Sequence, residues 1–138
     1  MHKTSRNKEK NYIFYGTLRD PEIQALIAGK SLAEKFWQTA IIPGYSLHFV
    51  KSCLYPALKS NPQSQFTADL YLGLSLEEQR AIFDYEGDEY ELVTWQVHGQ
   101  DFQIFLPLSS VRLSDEIWDL HQFQNSLKST YLAWLADA

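Results

Sequence analysis

The chain has 138 residues, 45% of them hydrophobic, 14% aromatic and 21% charged, proportions of a globular protein long enough to bury roughly two thirds of its unfolded surface in one domain. A formal net charge of −5, with few and scattered basic residues past the N-terminal segment, argues against a nucleic-acid surface. No apolar run approaches the ~18 residues of a membrane span, and a single cysteine, Cys53, excludes an intramolecular disulfide framework and fits a reducing, cytoplasmic setting.

Residues 1–11 are basic, lack the apolar segment of a signal peptide and read as a disordered lead-in, which leaves 12–138 as one domain. Tyr12-Ile-Phe-Tyr15 reads as an apolar strand that stops at Gly16. Asp20 is a natural N-cap and Pro21 suits the first helical position, so a short amphipathic helix follows, with Ile23, Leu26 and Ile27 on one face and Gly29 at its end. Phe36–Ile42 and Tyr45–Val50 read as strands separated by a turn at Pro43-Gly44. Tyr55-Pro56-Ala57-Leu58 carries a proline and reads as an edge or a loop. The polar run Lys59–Gln65 is the clearest loop signal in the chain. Phe66–Leu74 reads as a strand, and Ser75 with Glu78 forms a capping box that opens a helix through Asp84, ended by Gly87. Tyr90–Val97 and Asp101–Leu106 form a hairpin. Ser114-Asp115-Glu116 reads as the cap of a last helical stretch carrying Ile117, Leu120, Phe123, Leu127, Tyr131, Trp134 and Leu135, divided at Asn125-Ser126. Strands and helices do not alternate strictly, so a mixed α+β fold around a barrel-like sheet with flanking helices is expected.

Two stretches carry chemistry. The junction after Tyr15 leaves backbone N–H groups of Gly16, Thr17 and Leu18 beside a helix start, a seat for a carboxylate or a developing oxyanion; it also reads as an ordinary strand turning into a helix. The run Phe83–Glu91 holds Asp84, Glu86, Asp88, Glu89 and Glu91. It reads either as a solvated acidic turn or as a site. Its spacing does not match a calcium loop, and no metal is expected. Within it Glu86 stands apart, at a helix-to-strand junction among Phe83, Tyr85 and Tyr90. Such surroundings disfavour the charged form and raise the pKa toward that of a general base. His48, His98 and His121 are scattered without a ligand spacing, and Cys53 reads as a small packed hydrophobe.

Taken together, Tyr15-Gly16-Thr17-Leu18 and Phe83-Asp-Tyr-Glu86-Gly87-Asp-Glu-Tyr90 resemble the γ-glutamylcyclotransferase-like superfamily, including AIG2-like proteins, which carry a Y-G-[ST]-L loop and a D-x-x-E-G-x-x-Y segment. Asp84 stands two residues before Glu86, close to that pattern, with Gly87 and Tyr90 in place. Pro43-Gly44-Tyr45-Ser46-Leu47 and Tyr55-Pro56-Ala57-Leu58 resemble two further family segments, so the resemblance runs from about Tyr12 to Phe105. It implies a small mixed, barrel-like sheet with a cavity at its mouth. It also implies cyclisation of a γ-glutamyl-amine or γ-glutamyl-amino acid to 5-oxoproline without a cofactor. Glu86 would be the general base, Tyr15, Gly16, Thr17 and Leu18 would hold the glutamyl portion, and Tyr90 would line the pocket. Arg19 would attract the substrate carboxylate.

The leading expectation is therefore an enzyme acting on a small γ-glutamyl molecule, a monomer or weak homodimer. The alternative is a non-catalytic module that binds a small carboxylate or peptide end. A third reading uses the aromatic C-terminal stretch for a partner; that stretch otherwise packs or covers the pocket mouth.

Overall fold

The computed structural model describes residues 8–137, in which six strands form one mixed sheet. The strands are β1 (Lys10–Phe14), β2 (Phe36–Val50), β3 (Pro56–Leu74), β4 (Tyr90–Val97), β5 (Gln100–Pro107) and β6 (Leu113–Ile117), in the spatial order β4-β5-β1-β3-β2-β6. β1 runs parallel to β5 and antiparallel to β3. Sandwiched between two neighbours, it buries Tyr12, Ile13 and Phe14 in succession, as the continuous apolar run of a central strand requires. The sheet curls: Tyr45 of β2 meets Trp95 of β4 with ring centroids 5.1 Å apart, although three strands lie between them. That closure produces the barrel-like form expected from the sequence.

Three helices accompany the sheet. α1 (Pro21–Ala28) starts as its residues dictate: the Asp20 carboxylate accepts from the Ile23 amide at 3.0 Å, Pro21 occupies the first turn, and Gly29 closes it at φ 78°. α2 (Leu76–Glu86) opens with the full capping box, the Ser75 hydroxyl accepting from the Glu78 amide and the Glu78 carboxylate from the Ser75 amide. α3 comprises Leu120–Gln122, a π turn over Phe123–Leu127 and Lys128–Asp137. Ile23 of α1, Ile82 of α2 and Phe123 of α3 are fully buried in the common core, each contributing roughly 1.5–3 kcal/mol relative to exposure.

Four local expectations are corrected. Pro43-Gly44 is no turn. β2 runs through it, and Gly44 at φ 98° takes up a register irregularity between Pro43 and Tyr45. Tyr55 lies in the connection before β3, but Pro56–Leu58 is neither edge nor loop, because Pro56 is the first residue of a central strand, a position where its missing N–H costs no ladder bond. Ala57 and Leu58 behind it are buried. The polar run 59–65 belongs to β3. Tyr45 pairs with Ser60 and Pro43 with Gln65, so the residues between 60 and 65 bulge out of the ladder, and the Gln63 amide donates to Asn61 Oδ1 at 3.0 Å. The turn chemistry was real, but it shapes a bulge rather than a connection. Finally, Ser114–Glu116 do not cap a helix. They lie in β6, which pairs with the edge of β2 and presents Asp115 and Glu116 to solvent, as charged edge strands do; the cap is Asp119, which accepts from the Gln122 amide at 2.8 Å. The expected lead-in over 1–11 falls outside the described residues as far as residue 7, and by Lys10 the chain is already strand.

Candidate active site

Where β1 ends, the backbone leaves the sheet at Tyr15-Gly16 and makes a tight 3₁₀ turn over Thr17–Arg19. Gly16 is required by close approach: a Cβ there would stand 2.9 Å from Pro56 Cγ, at the start of β3. The turn closes on itself through the Arg19 amide to the Gly16 carbonyl and the Asp20 amide to the Thr17 carbonyl, both 3.0 Å. The amides of Gly16, Thr17 and Leu18 find no backbone acceptor among the described residues, as the first donors of a helical turn do not. Asp20 holds the far end of the loop. Besides capping α1, its buried carboxylate accepts from Gln124 and Lys128 of α3, both at 2.9 Å. Burial works to raise the Asp20 pKa, but the Ile23 amide, Gln124 and Lys128 outweigh it and hold the carboxyl in its charged form.

Glu86 is the last residue of α2, where Gly87 turns the chain at φ 73°, ψ −162°, a region essentially closed to residues with a side chain. That turn brings the end of α2 beside the loop. Glu86 and Tyr15, Gly16, Thr17 and Leu18 line one cavity of about 310 Å³, within the size range of small-molecule sites. The Glu86 carboxylate has neither a hydrogen-bond nor an ion-pair partner among the described residues. Glu86 is half-buried and lines the cavity. Removed from bulk water and unpaired, its pKa is pushed up to about 8 from an ordinary 4.5. Among the described residues no lysine, arginine or histidine lines the cavity to offset it.

The rest of the wall is aromatic. Tyr90, the first residue of β4, donates to the Pro56 carbonyl at 2.9 Å, and Tyr15 donates to the Phe105 carbonyl on β5. Both phenols are driven up by burial, so they are neutral donors at any physiological pH. Tyr85, on the turn of α2 that carries Glu86, shares hydrogen bonds with Thr17 (2.6 Å) and with Tyr131 of α3. Tyr131, Trp134 and Leu135 bring α3 over the cavity, with Trp134 against Tyr55 at 6.4 Å between centroids. Tyr55 in turn donates to Glu89 at 2.8 Å at the mouth.

Residues 12–117 match the family model described as gamma-glutamyl cyclotransferase, AIG2-like. The chain belongs to that family. Among solved structures it is similar to two Arabidopsis thaliana proteins studied in solution. One is 16% identical, with 93% of this chain and 89% of that one covered at a TM-score of 0.61; the other is 18% identical, with 94% and 81% covered at the same TM-score. An uncharacterized protein from Pyrococcus horikoshii is 20% identical, with 88% of this chain and 97% of that one covered at a TM-score of 0.57. At these identities the likeness is one of fold. No curated protein matches the chain. The gamma-glutamyl cyclotransferase, AIG2-like segment ends at the close of β6, so α3 and its contribution to the cavity lie beyond it.

Of the residues singled out from the sequence, Tyr15, Gly16, Thr17, Leu18, Glu86 and Tyr90 all meet at this cavity. Arg19 does not. It is turned away to Asp69 on β3, Nε to Oδ2 at 3.1 Å, and is not among the lining residues. Of the other acids, only Glu89 joins Glu86 on the wall. His48 is occupied by Ser46 (2.7 Å) and the Ser114 carbonyl (3.0 Å), His121 lies beside Asn125, and His98 forms the β4–β5 turn with φ 52°. Among the described residues no group of three His, Cys, Asp or Glu side chains is arranged to hold a metal ion. Tyr85 was read only as part of the surroundings of Glu86, and covering the pocket mouth was one of several readings of the C-terminal stretch; Tyr131 and Trp134, with Leu135, do line the cavity. The sequence offered only their aromatic character, and buried aromatics usually signify packing.

Proposed function

We propose that this protein is a γ-glutamyl cyclotransferase that releases 5-oxoproline and a free amine from a small γ-glutamyl-amine or γ-glutamyl-amino acid, with Glu86 as general base. The observation that carries the reading is the unpaired Glu86 carboxylate, with its raised pKa, on the same small cavity as the donor-bearing Tyr15–Leu18 loop. A substrate that seats its glutamyl carboxylate on the amides of Gly16, Thr17 and Leu18 would present its α-ammonium group to Glu86 in the same cavity. A carboxylate with a pKa near 8 is well matched to take a proton from an ammonium group. The freed nitrogen attacks the γ-carbonyl carbon, a C–N bond forms, and the π electrons move to the carbonyl oxygen. Collapse of that tetrahedral species breaks the original C–N bond. The leaving nitrogen takes the proton that Glu86 holds; Glu86, again a carboxylate, takes the second proton from the ring nitrogen and passes it to the released amine, so that 5-oxoproline and an ammonium ion remain.

Because the attack is intramolecular, holding the chain in a folded-back conformation supplies much of the acceleration. The aromatic walls suit this task, since they exclude water and confine the substrate. Incubating the purified protein with a panel of γ-glutamyl compounds and following 5-oxoproline tests the reading. Turnover that Glu86→Gln lowers by about a hundredfold or more supports it, and a wild-type rate no greater than that of the variant overturns it.

A further inference from the structure

Three hydroxyl groups join across this cavity from three parts of the chain: Thr17 of the loop, Tyr85 of α2 and Tyr131 of α3. Each hydroxyl carries one proton and accepts through two lone pairs. Tyr85 stands between the other two and is hydrogen-bonded to both, and all three residues line the cavity. Thr17 (5% exposed) and Tyr131 (3%) are buried, whereas Tyr85, in the middle, keeps open surface. Because Tyr85 is bonded to both, its oxygen can accept from Thr17 and from Tyr131 together. Tyr85 then turns its own O–H toward the cavity.

We propose that Tyr85 donates this hydrogen bond to the γ-carbonyl oxygen of the substrate as negative charge develops there, with Thr17 and Tyr131 as positioning residues that aim it. This rests on the cyclotransferase reading and assigns a part of the reaction that Glu86 leaves open. Glu86 handles the proton of the nitrogen, but the oxygen receiving the electron pair needs a donor of its own. A hydroxyl that accepts two hydrogen bonds is polarised into a better donor. Tyr85 precedes Glu86 on the same turn of helix, so base and oxyanion donor are held in one rigid unit. Burial raises the pKa of Tyr85 and of Tyr131, which keeps both protonated across the working range of the base. Tyr131 lies beyond the segment shared with the family, on α3. The C-terminal helix is thereby part of the catalytic apparatus of this chain rather than an appendage.

The test compares full-length wild type with Tyr85→Phe, Tyr131→Phe and Thr17→Val on whichever γ-glutamyl compound is turned over. The expected result is a kcat lowered by about a hundredfold in Tyr85→Phe with KM changed less than about threefold, and smaller losses of kcat in the two positioning variants. In parallel, calorimetry measures binding of a γ-phosphonate monoester of the glutamate skeleton, whose tetrahedral anion stands in for the charged carbonyl. Tyr85→Phe should bind this probe at least about tenfold more weakly than wild type does, while binding glutamate itself equally well. Unchanged kcat and unchanged phosphonate affinity in Tyr85→Phe overturn the inference and leave the cyclotransferase reading standing. Absence of turnover in wild type overturns that reading and this inference with it.

Discussion

Replacing Glu86 by glutamine should stabilise the protein while abolishing its proposed chemistry, and the gain should depend on pH. In the unfolded chain the carboxyl titrates near 4.5, in the folded protein near 8. Between those values the folded state binds a proton that the unfolded state has released, so stability falls as pH rises from about 4.5 to about 8 and is level beyond. At pH 7 the cost is about 1.4 kcal/mol for each of the roughly 2.5 pH units above 4.5, or about 3 kcal/mol. Water that enters the cavity screens part of this, which brings the measurable effect to roughly 1–3 kcal/mol. Glutamine has nearly the same shape and nothing to ionise. For a domain of this size, Glu86→Gln should melt roughly 3–10 °C above wild type at pH 7–8, with the gap shrinking toward zero near pH 5. Thermal unfolding of both proteins from pH 5 to 9 reads the difference directly, because all other titrating groups are common to the two. Parallel curves at a constant separation would refute the claim that Glu86 is a desolvated, unpaired carboxyl.

The same pKa predicts that kcat/KM for 5-oxoproline release climbs about tenfold per pH unit below 8 and levels above it, since only the deprotonated base is active; a flat profile from pH 6 to 8 excludes Glu86 as that base. Glu78 has the opposite sign. Burial works to raise its pKa, but Lys35 at 2.6 Å, the Ser75 amide and Lys30 at 2.9 Å hold it at about 2. Its contribution is present above the ordinary carboxyl pKa of 4.5 and lost as pH falls toward 2. Glu78→Gln should therefore cost roughly 2–4 kcal/mol in denaturant unfolding at pH 7, with less difference below pH 4. Gly16→Ala sets a methyl 2.9 Å from Pro56 Cγ, so the loop must move. Expected are a loss of roughly 1–3 kcal/mol in chemical unfolding and a fall of at least about tenfold in kcat/KM, and a variant with unaltered kinetics would separate the loop from the reaction.

What was legible in the sequence was local or patterned. Capping residues, the hairpin over Tyr90–Leu106 and the apolar run of β1 each encode their own geometry within a few positions. The juxtaposition of Glu86 with Tyr15–Leu18 was legible only through the family resemblance, because nothing in either segment alone says that they meet. The misread segments share one physical cause: their structure is set by partners distant in the sequence. Lys59–Gln65 carries turn-forming residues, yet the fifteen-residue β2 alongside it captures the flanking backbone and confines the turn to a bulge. Leu113–Ile117 has polar residues at its centre and is a strand because the edge of β2 is available to pair with it.

The π turn in α3 explains why the C-terminal helix could not be placed on the cavity from its spacing. Phe123 and Tyr131 are eight positions apart, which in a regular α-helix puts them about 80° apart around the axis. A π turn accommodates one extra residue and removes about 100° of rotation, bringing the two onto nearly one face. Both are buried, with ring centroids 5.5 Å apart, and Phe123 packs in turn on Trp118 at 5.4 Å. The Trp118 indole is fixed by its N–H to the Leu54 carbonyl at 3.0 Å, in the turn between β2 and β3. The register of α3 is thus set from its first turn, where Phe123 wedges against an anchored tryptophan. The hydroxyl of Tyr131 reaches Tyr85 only because the irregular turn follows. Asp20 with Lys128 and Gln124 secures the same helix to the start of α1, immediately after the Tyr15–Leu18 loop. The helix is held at both of these points, so the loop, the Glu86 turn and α3 form one connected frame around the cavity.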